Sequence, residues 1–484
     1  MSSDYKLKLS CNRISLWTAA FIFAAGVFLS SLIPPLQSPD EFDHVERAYL
    51  LSKGAIILDA PEGQSSGGMI DTGLLDYFRI YGGIIFKPDK KLSLADSERA
   101  KSINWTGAKE FRPAYGISYY FPLLYVPQAV GLAIGEKTGL SIDFSYRLAR
   151  LLSLLAIALI VLVAFNIYSP NPLVMALLAL PMSLFQISSA SIDGLSMALT
   201  ILSMACFLRI VQDKTSSKPL FFYLLTCAVL VLSTGRIYLA PLILLNFMAC
   251  YYLKDRNYCY LCGLSVVLIV LWFLVAVLTT VDKRLVLGAS TLEIALLYLR
   301  HPSILLHAFA STISNAGMVT NYIYSFVGVL GWLDTLFYKW QYLLFLLLLL
   351  SICGLSISAK DLRADWLPRS AILLCVVSAI LIMFFLLLVT WNKYPAAIIE
   401  GVQGRYFLPL AIMLSYAIAG RAKAFEGLPR KTALVLLLAL CALTLFSMPG
   451  LLLKRYYLAG EPLKNHASTM YCEPSQGNRP TSSG

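Results

Sequence analysis

Charge is what this sequence lacks. Only 14% of its 484 residues are charged, against 58% apolar, whereas a water-soluble domain carries about a quarter charged residues. That shortage, with a mean hydropathy of +0.71, excludes a soluble globular protein. No composition shift marks a separate soluble domain, and there is no repeat of fixed period and no low-complexity tract. Acids are scarcer than bases, 27 against 39. The bases punctuate apolar runs instead of clustering with aromatic residues, so they act as topology signals and nucleic-acid recognition is set aside. Histidine is rare, with four residues, and most of the ten cysteines lie in apolar runs, where a thiol is a small hydrophobe. Cys259 and Cys262 form one C-x-x-C beside Cys250, without the second pair that a zinc site requires.

What is present is a succession of apolar runs. A span needs about 20 mainly apolar residues. The candidates are 14–33, 146–168, 172–188, 193–211, 220–235, 238–253, 259–281, 341–357, 370–390, 406–420 and 432–449. Lys6, Lys8 and Arg13 precede the first run, and no small-residue cleavage site follows it, so it reads as a retained helix and not a signal peptide. The short segments Arg209–Lys218, Lys254–Arg256, Lys360–Arg369 and Arg421–Lys431 are basic. The positive-inside tendency puts them, and the N-terminus, in the cytoplasm. An all-α polytopic bundle of about eleven spans satisfies this, if 117–135 is an interfacial helix that does not cross. One transmembrane domain over 1–449 then carries a long first external loop (34–144), a second external region (282–340) and a short third one before residue 406. The tail 450–484 is extracytoplasmic.

The chemistry-bearing residues collect at the expected external ends. In Gln37-Ser38-Pro39-Asp40-Glu41-Phe42-Asp43-His44-Val45-Glu46-Arg47, Ser38 at an N-cap, Pro39 at N1 and Glu41 fit a capping box that opens a helix. Asp40, Asp43, His44 and Arg47 would share one face of it. Acids in a first turn can simply complement the helix dipole. Here Asp40 is the first candidate for a general base and Glu41 the second. His44 and Arg47 are candidates to bind an anionic group. Asp193 opens a later span and is either an N-cap or functional. Arg236, in Ser233-Thr234-Gly235-Arg236-Ile237-Tyr238, is an isolated external cation that either snorkels or binds phosphate. Gly401-Val402-Gln403-Gly404-Arg405-Tyr406 reads as a tight turn presenting Gln403 and Arg405 to phosphate or sugar. Tyr238 completes the candidate substrate contacts. His301 and His307 read as interfacial packing residues.

At these residues the sequence resembles a family of bacterial and phage membrane proteins in the GT-C glycosyltransferase superfamily. The resemblance rests on Pro34-Pro-Leu-Gln-Ser-Pro-Asp-Glu-x-x-His44, Leu180-Pro-Met-Ser with Ser-x-Asp193, Phe326-Val-Gly-Val-Leu-Gly-Trp-Leu-Asp334 and Val402-Gln-Gly-Arg-Tyr-Phe-Leu-Pro409. One departure is Arg236, where the family pattern leads us to expect lysine, and the two side chains differ in geometry. The resemblance implies a GT-C-like bundle in a bacterial inner membrane. It implies transfer on the periplasmic face from a polyprenyl-phosphate-linked sugar, with an acid of the first external loop at the centre. Size and organisation are similar to serotype-converting O-antigen glucosyltransferases, which would make undecaprenyl-phosphate-glucose the donor and a lipopolysaccharide repeat unit the acceptor. Some members use Mg²⁺ or Mn²⁺, for which Asp40, Glu41 and Asp193 have suitable oxygens. The reading adopted here has no metal, with Arg236 and Arg405 neutralising phosphate. A flippase for lipid-linked sugars is the alternative.

Overall fold

The computed structural model describes residues 13–212, 219–283, 290–419 and 427–458. The expected cytoplasmic lysines Lys6, Lys8, Lys214 and Lys218, Arg421 and most of the tail, with Cys472, lie outside the described residues. The first long helix is α1 (Arg13–Leu32). Its buried Ile22, Ala25, Gly26 and Leu29 recur at helical spacing and form one apolar stripe. The segment expected to form the first external loop folds into α2 (Glu41–Ser52), a two-stranded antiparallel sheet of β1 (Gly67–Asp71) and β2 (Lys109–Pro113), and the short helices α3 (Thr72–Gly82) and α4 (Leu94–Ser102). A 3-10 turn, Pro122–Tyr125, leads into α5 (Val126–Lys137). With 12 residues, α5 is about 18 Å long, short of the roughly 30 Å hydrocarbon core. It packs back along the first turns of α6 (Ile142–Ile167), where Gln128 donates to Ser153 Oγ at 3.2 Å.

Among the described residues the rest is mainly helical, with one small hairpin and an irregular segment over 392–403. The helices are α7 (Pro172–Ala179), α8 (Pro181–Ile187), α9 (Asp193–Gln212), α10 (Pro219–Gly235), α11 (Ile243–Leu253) and α12 (Arg256–Thr279). There follow α13 (Thr291–Arg300), α14 (Pro302–Ser314), α15 (Ala316–Gly328), the hairpin β3 (Val329–Leu330) and β4 (Thr335–Leu336), and α16 (Lys339–Ser356). Then come α17 (Ala359–Ala364), α18 (Trp366–Trp391), α19 (Leu408–Ile418) and α20 (Leu428–Tyr456). Among the described residues seven helices are long and apolar enough to cross a membrane: α1, α6, α9, α12, α16, α18 and α20. The other four segments expected to span fold as shorter or broken helices. Pro181 splits the run 172–188 into α7 and α8, because proline cannot supply the N–H that a continuous helix needs.

Long-range hydrogen bonds sort the helix ends into two groups. At one end Phe121 N donates to Thr234 O (3.0 Å), Gly116 N to Asp282 Oδ2 (3.1 Å) and Arg405 Nη1 to Pro39 O (3.0 Å). Arg455 Nη2 donates there to Asp334 Oδ2 (2.7 Å). These bonds join the three expected external regions to the last turn of α20. That helix runs seven residues past the expected boundary at 449, because Leu452, Arg455 and Tyr456 are buried against the first loop. At the other end Gln212 Nε2 donates to Asp365 Oδ2 (3.4 Å), and Arg369 Nη1 to the terminal carbonyls of Ala417 (2.9 Å) and Ala419 (2.6 Å). A disulfide, Cys250–Cys259, closes the turn between α11 and α12. It sits at the opposite end of α12 from Val281, whose N–H donates to Ser66 Oγ of the first loop (2.9 Å).

Candidate functional site

The helix α2 starts later than the capping-box spacing predicts. Its first residue is Glu41, and Asp40 occupies the N-cap in the left-handed region (φ 62°) without capping through its side chain. The Ser38 hydroxyl that would cap the helix is engaged elsewhere. Ser38 Oγ donates to Gln186 Oε1 (3.1 Å) on α8, while Glu41 reaches back to the Ser38 N–H (3.0 Å). Half of the capping box therefore survives, one residue pair out of register with the helix.

Glu41 is an anchor. Its carboxylate is fully buried and accepts from Tyr146 Oη (2.7 Å), Ala190 N (2.6 Å) and both Nε (3.3 Å) and Nη2 (3.2 Å) of Arg150. Arg150 in turn caps the C-terminus of α1 through the carbonyls of Ile33 (3.0 Å) and Pro34 (3.2 Å). One carboxylate thus ties α1, α2, α6 and the α8–α9 turn together. Every partner of Glu41 is a donor to the ionised form, so the proton-accepting role has no free lone pair directed outward. Sequence reasoning missed Arg150 and Tyr146. The available signal was a lone arginine inside an apolar run, an expensive placement that requires a partner.

Asp40 points the other way. Its side chain is 42% exposed, and its Oδ2 pairs with Arg405 Nη2. Arg405, almost fully buried, spreads its fork over two acids. Nη1 donates to Asp193 Oδ2 (3.2 Å) as well as to Pro39 O. Nε donates to Gln403 Oε1 (2.7 Å), which fixes the plane of the guanidinium. Asp193 Oδ1 pairs with Arg236 Nη2. Asp40, Arg405, Asp193 and Arg236, drawn from four distant segments, therefore form a continuous chain of alternating charge. The ring of Tyr406 lies under Arg405 (5.2 Å) and that of Tyr120 under Arg236 (5.5 Å), and Tyr238 feels both Arg236 and Asp193 electrostatically. Arg236 Nε is buried with no hydrogen-bond partner among the described residues.

Two glycines make this reach possible. Gly401 has φ +86°, a left-handed turn open to residues without a side chain. Gly404 lies flush against α15: its N–H donates to Ser325 Oγ (2.8 Å), and a Cβ there would collide with the backbone of Tyr322, Ser325 and Phe326. The 3-10 turn Gly404–Phe407 is thereby pressed inward and aims Arg405 at Asp40.

Two expected contacts take other places. Arg47 does not join the face of Asp40. It is buried, and its Nη1 and Nη2 donate to the carbonyls of Ala55 (2.8 Å) and Ile56 (2.6 Å), closing the exit of α2. His44 does lie beside the charged chain, but as a neutral group. Its Nδ1 is 2.9 Å from Tyr125 Oη, and burial, reinforced by Arg236, lowers its pKa to about 4. An imidazole held neutral is a hydrogen-bonding partner and not a cation for an anionic ligand. Among the described residues no group of three or more His, Cys, Asp or Glu side chains converges as metal ligands would.

The arrangement can hold an anion and move a proton. Two buried guanidinium groups, one with an open donor, face a half-exposed carboxylate at the bundle end. None of the curated proteins and none of the solved structures searched matches this chain. The family model described as "Predicted membrane protein (DUF2142)" matches residues 21–414, a stretch enclosing Asp40, Asp193, Arg236 and Arg405, and the chain belongs to that family.

Proposed function

We propose that this protein is an inverting glycosyltransferase of the bacterial inner membrane. It takes a sugar from a polyprenyl-phosphate carrier and attaches it to a cell-envelope polysaccharide on the periplasmic side. The observation that carries the reading is the pair Arg405 and Arg236, bridged by Asp193, with Arg236 Nε unsatisfied. Arg47, Arg369 and Arg455 also bury an Nε without a partner among the described residues, so what distinguishes Arg236 is its place in the charged chain beside Arg405. A phosphate oxygen suits that pair, since the guanidinium fork matches phosphate in shape and charge.

The four charges cancel while the site is empty of donor. A phosphodiester brings one more negative charge and competes with Asp40 for Arg405. Asp40, half exposed, is the acid that can yield, whereas Asp193 is buried between two arginines. Once displaced, the Asp40 carboxylate is free to accept the proton of the acceptor hydroxyl. That oxygen attacks the anomeric carbon as the carbon–oxygen bond to phosphate breaks. The arginines then stabilise the charge that grows on the departing phosphate. Attack from the face opposite the leaving group inverts the anomeric centre. Glucose with an O-antigen acceptor is the specific form of the proposal.

Lipopolysaccharide composition in a host producing this chain tests it. Wild type adds a sugar branch, and Asp40→Asn at equal membrane level adds none. Unchanged branching by Asp40→Asn refutes the assignment. One observation favours a second reading: the α7–α8 break at the fully buried Pro181 is the kind of interrupted helix that transporters use. A flippase would move the lipid-linked sugar without releasing polyprenyl phosphate, and release from a synthetic donor separates the two.

A further inference from the structure

The segment between α1 and α6 encloses a cavity of about 160 Å³ that the proposed transfer does not use, lined by Phe42, Leu75, Phe78, Arg79 and Arg112. Its walls come from three elements of the first loop. Phe42 and Glu46 sit one turn apart on α2, while Leu75, Phe78 and Arg79 share one face of α3. Arg112 comes from β2, directly across from Gly68 in the sheet. The floor is aromatic: Phe42 meets Phe78 edge-on at 5.1 Å and tilts against Trp332 at 6.0 Å. The rim is cationic. Arg79 is held by Asp76 (2.5 Å), with Glu110 at 3.9 Å, and Arg112 lies 3.7 Å from its acid, Glu46. Both guanidinium groups remain about half exposed or more, at 67% and 48%.

Phe42 and Asp40 are two residues apart at the start of α2, so their Cα atoms are at most about 7 Å apart. Side chains at that spacing face different ways, so a unit seated on Phe42 is a neighbour, along the acceptor chain, of the unit that meets the carboxylate. Aromatic faces take the C–H faces of a pyranose ring, and guanidinium forks take a carboxylate or phosphate carried by it. Resting on the transferase reading, we infer that this cavity is the acceptor subsite, and that it holds one anionic monosaccharide unit of the acceptor polysaccharide. Arg112 binds the anionic group, Arg79 flanks it, and Phe42 and Phe78 carry the ring. The partners of Arg112 fit this role. Glu46 is buried, and burial raises its pKa to about 7 against the pull of Arg112, so it competes weakly with a ligand carboxylate.

The test is equilibrium binding to the purified full-length protein, with methyl glucuronide as anionic probe and methyl glucoside as its neutral counterpart. The wild type binds the glucuronide about 10-fold or more tighter than the glucoside, the discrimination that one charge-assisted hydrogen bond gives. Arg112→Gln, with thermal unfolding measured beside it to control for the lost pairing with Glu46, removes that preference, and Phe42→Ala weakens both probes. Equal binding of the two probes, a preference that survives Arg112→Gln, or no saturable binding overturns the inference. Because binding needs no turnover, the two readings fail separately. Glucuronide preference without any sugar transfer would leave an anionic-saccharide site in a protein that is not a transferase.

Discussion

Neutralising Glu41 and neutralising Asp40 are the same chemical change one residue apart, yet the structure assigns them opposite consequences. Glu41→Gln keeps the shape of the side chain but leaves Arg150 with no counter-charge in a site where Glu41 is fully buried and Arg150 nearly so. Removing one partner of a buried ion pair costs roughly 3–5 kcal/mol. Part of that is offset because Arg150 keeps the carbonyls of Ile33 and Pro34. Even the lower figure is a large share of a typical folding free energy of about 5–15 kcal/mol. Asp40→Asn removes one acid from a pair that is 42% exposed on the acid side, and Arg405 keeps Asp193 and the Pro39 carbonyl, so the cost is smaller than for Glu41→Gln. The measurement is thermal unfolding of both variants in the same detergent, beside sugar transfer by each. Glu41→Gln should melt well below wild type, while Asp40→Asn should melt close to it and be inactive. A Glu41→Gln protein that melts like wild type but transfers no sugar would refute this division and make Glu41 the base.

Three other outcomes are expected. Arg405→Ala should lower turnover of a polyprenyl-phosphate-sugar donor by roughly 100-fold or more, as loss of one preorganised charge-stabilising donor does. Arg405→Lys should recover little of this, since it cannot bridge two acids; full recovery would mean that only charge matters. Glu46, raised to about 7 from an ordinary 4.5, binds its proton more tightly folded than unfolded, so its contribution to stability is present below pH 4.5 and lost as pH rises through 7. The melting temperature should fall across that window, and Glu46→Gln should flatten the slope; an unchanged slope assigns it to other groups. If the Cys250–Cys259 end faces the cytosol, glutathione keeps that pair reduced in cells. Alkylation of intact cells before lysis should then find both thiols free, although the two pair in this structure, and finding the disulfide would invert the proposed topology.

How much of this was legible depended on where a charge stood. Asp193, Arg236 and Arg405 are isolated ions at the ends of apolar runs, and isolation in such a chain demands a partner, so all three could be found without coordinates. Their mutual pairing could not, because nothing in the sequence says that residues 40, 193, 236 and 405 share one end of the bundle. Arg47 was misplaced because helical spacing fixes where a Cβ sits, not where a long side chain ends. Its guanidinium turns toward Ala55 and Ile56, past the end of its own helix. Arg150 was overlooked because the apolar stretch around it dominates any window average. Span tracing found seven helices long enough to cross, while the other four expected spans fold as shorter or broken helices; at Pro181 local proline chemistry overrides hydropathy. The aromatic cavity was invisible, since its walls meet only after β1 and β2 pair.

The ion pair between Asp40 and Arg405 joins residues 365 positions apart. At about 5–20 residues per second, a ribosome makes Arg405 roughly 20–70 s after Asp40. Throughout that interval the nascent protein holds a carboxylate without its clamp, and no fragment ending before the tenth expected span owns a complete centre. Under the proposed transferase reading, activity is therefore timed by synthesis itself: a half-inserted chain meeting a lipid-linked sugar has nothing with which to split it. The last segments to arrive, which bring Arg405 and then the Arg455 contact to Asp334, turn a folded scaffold into a working one.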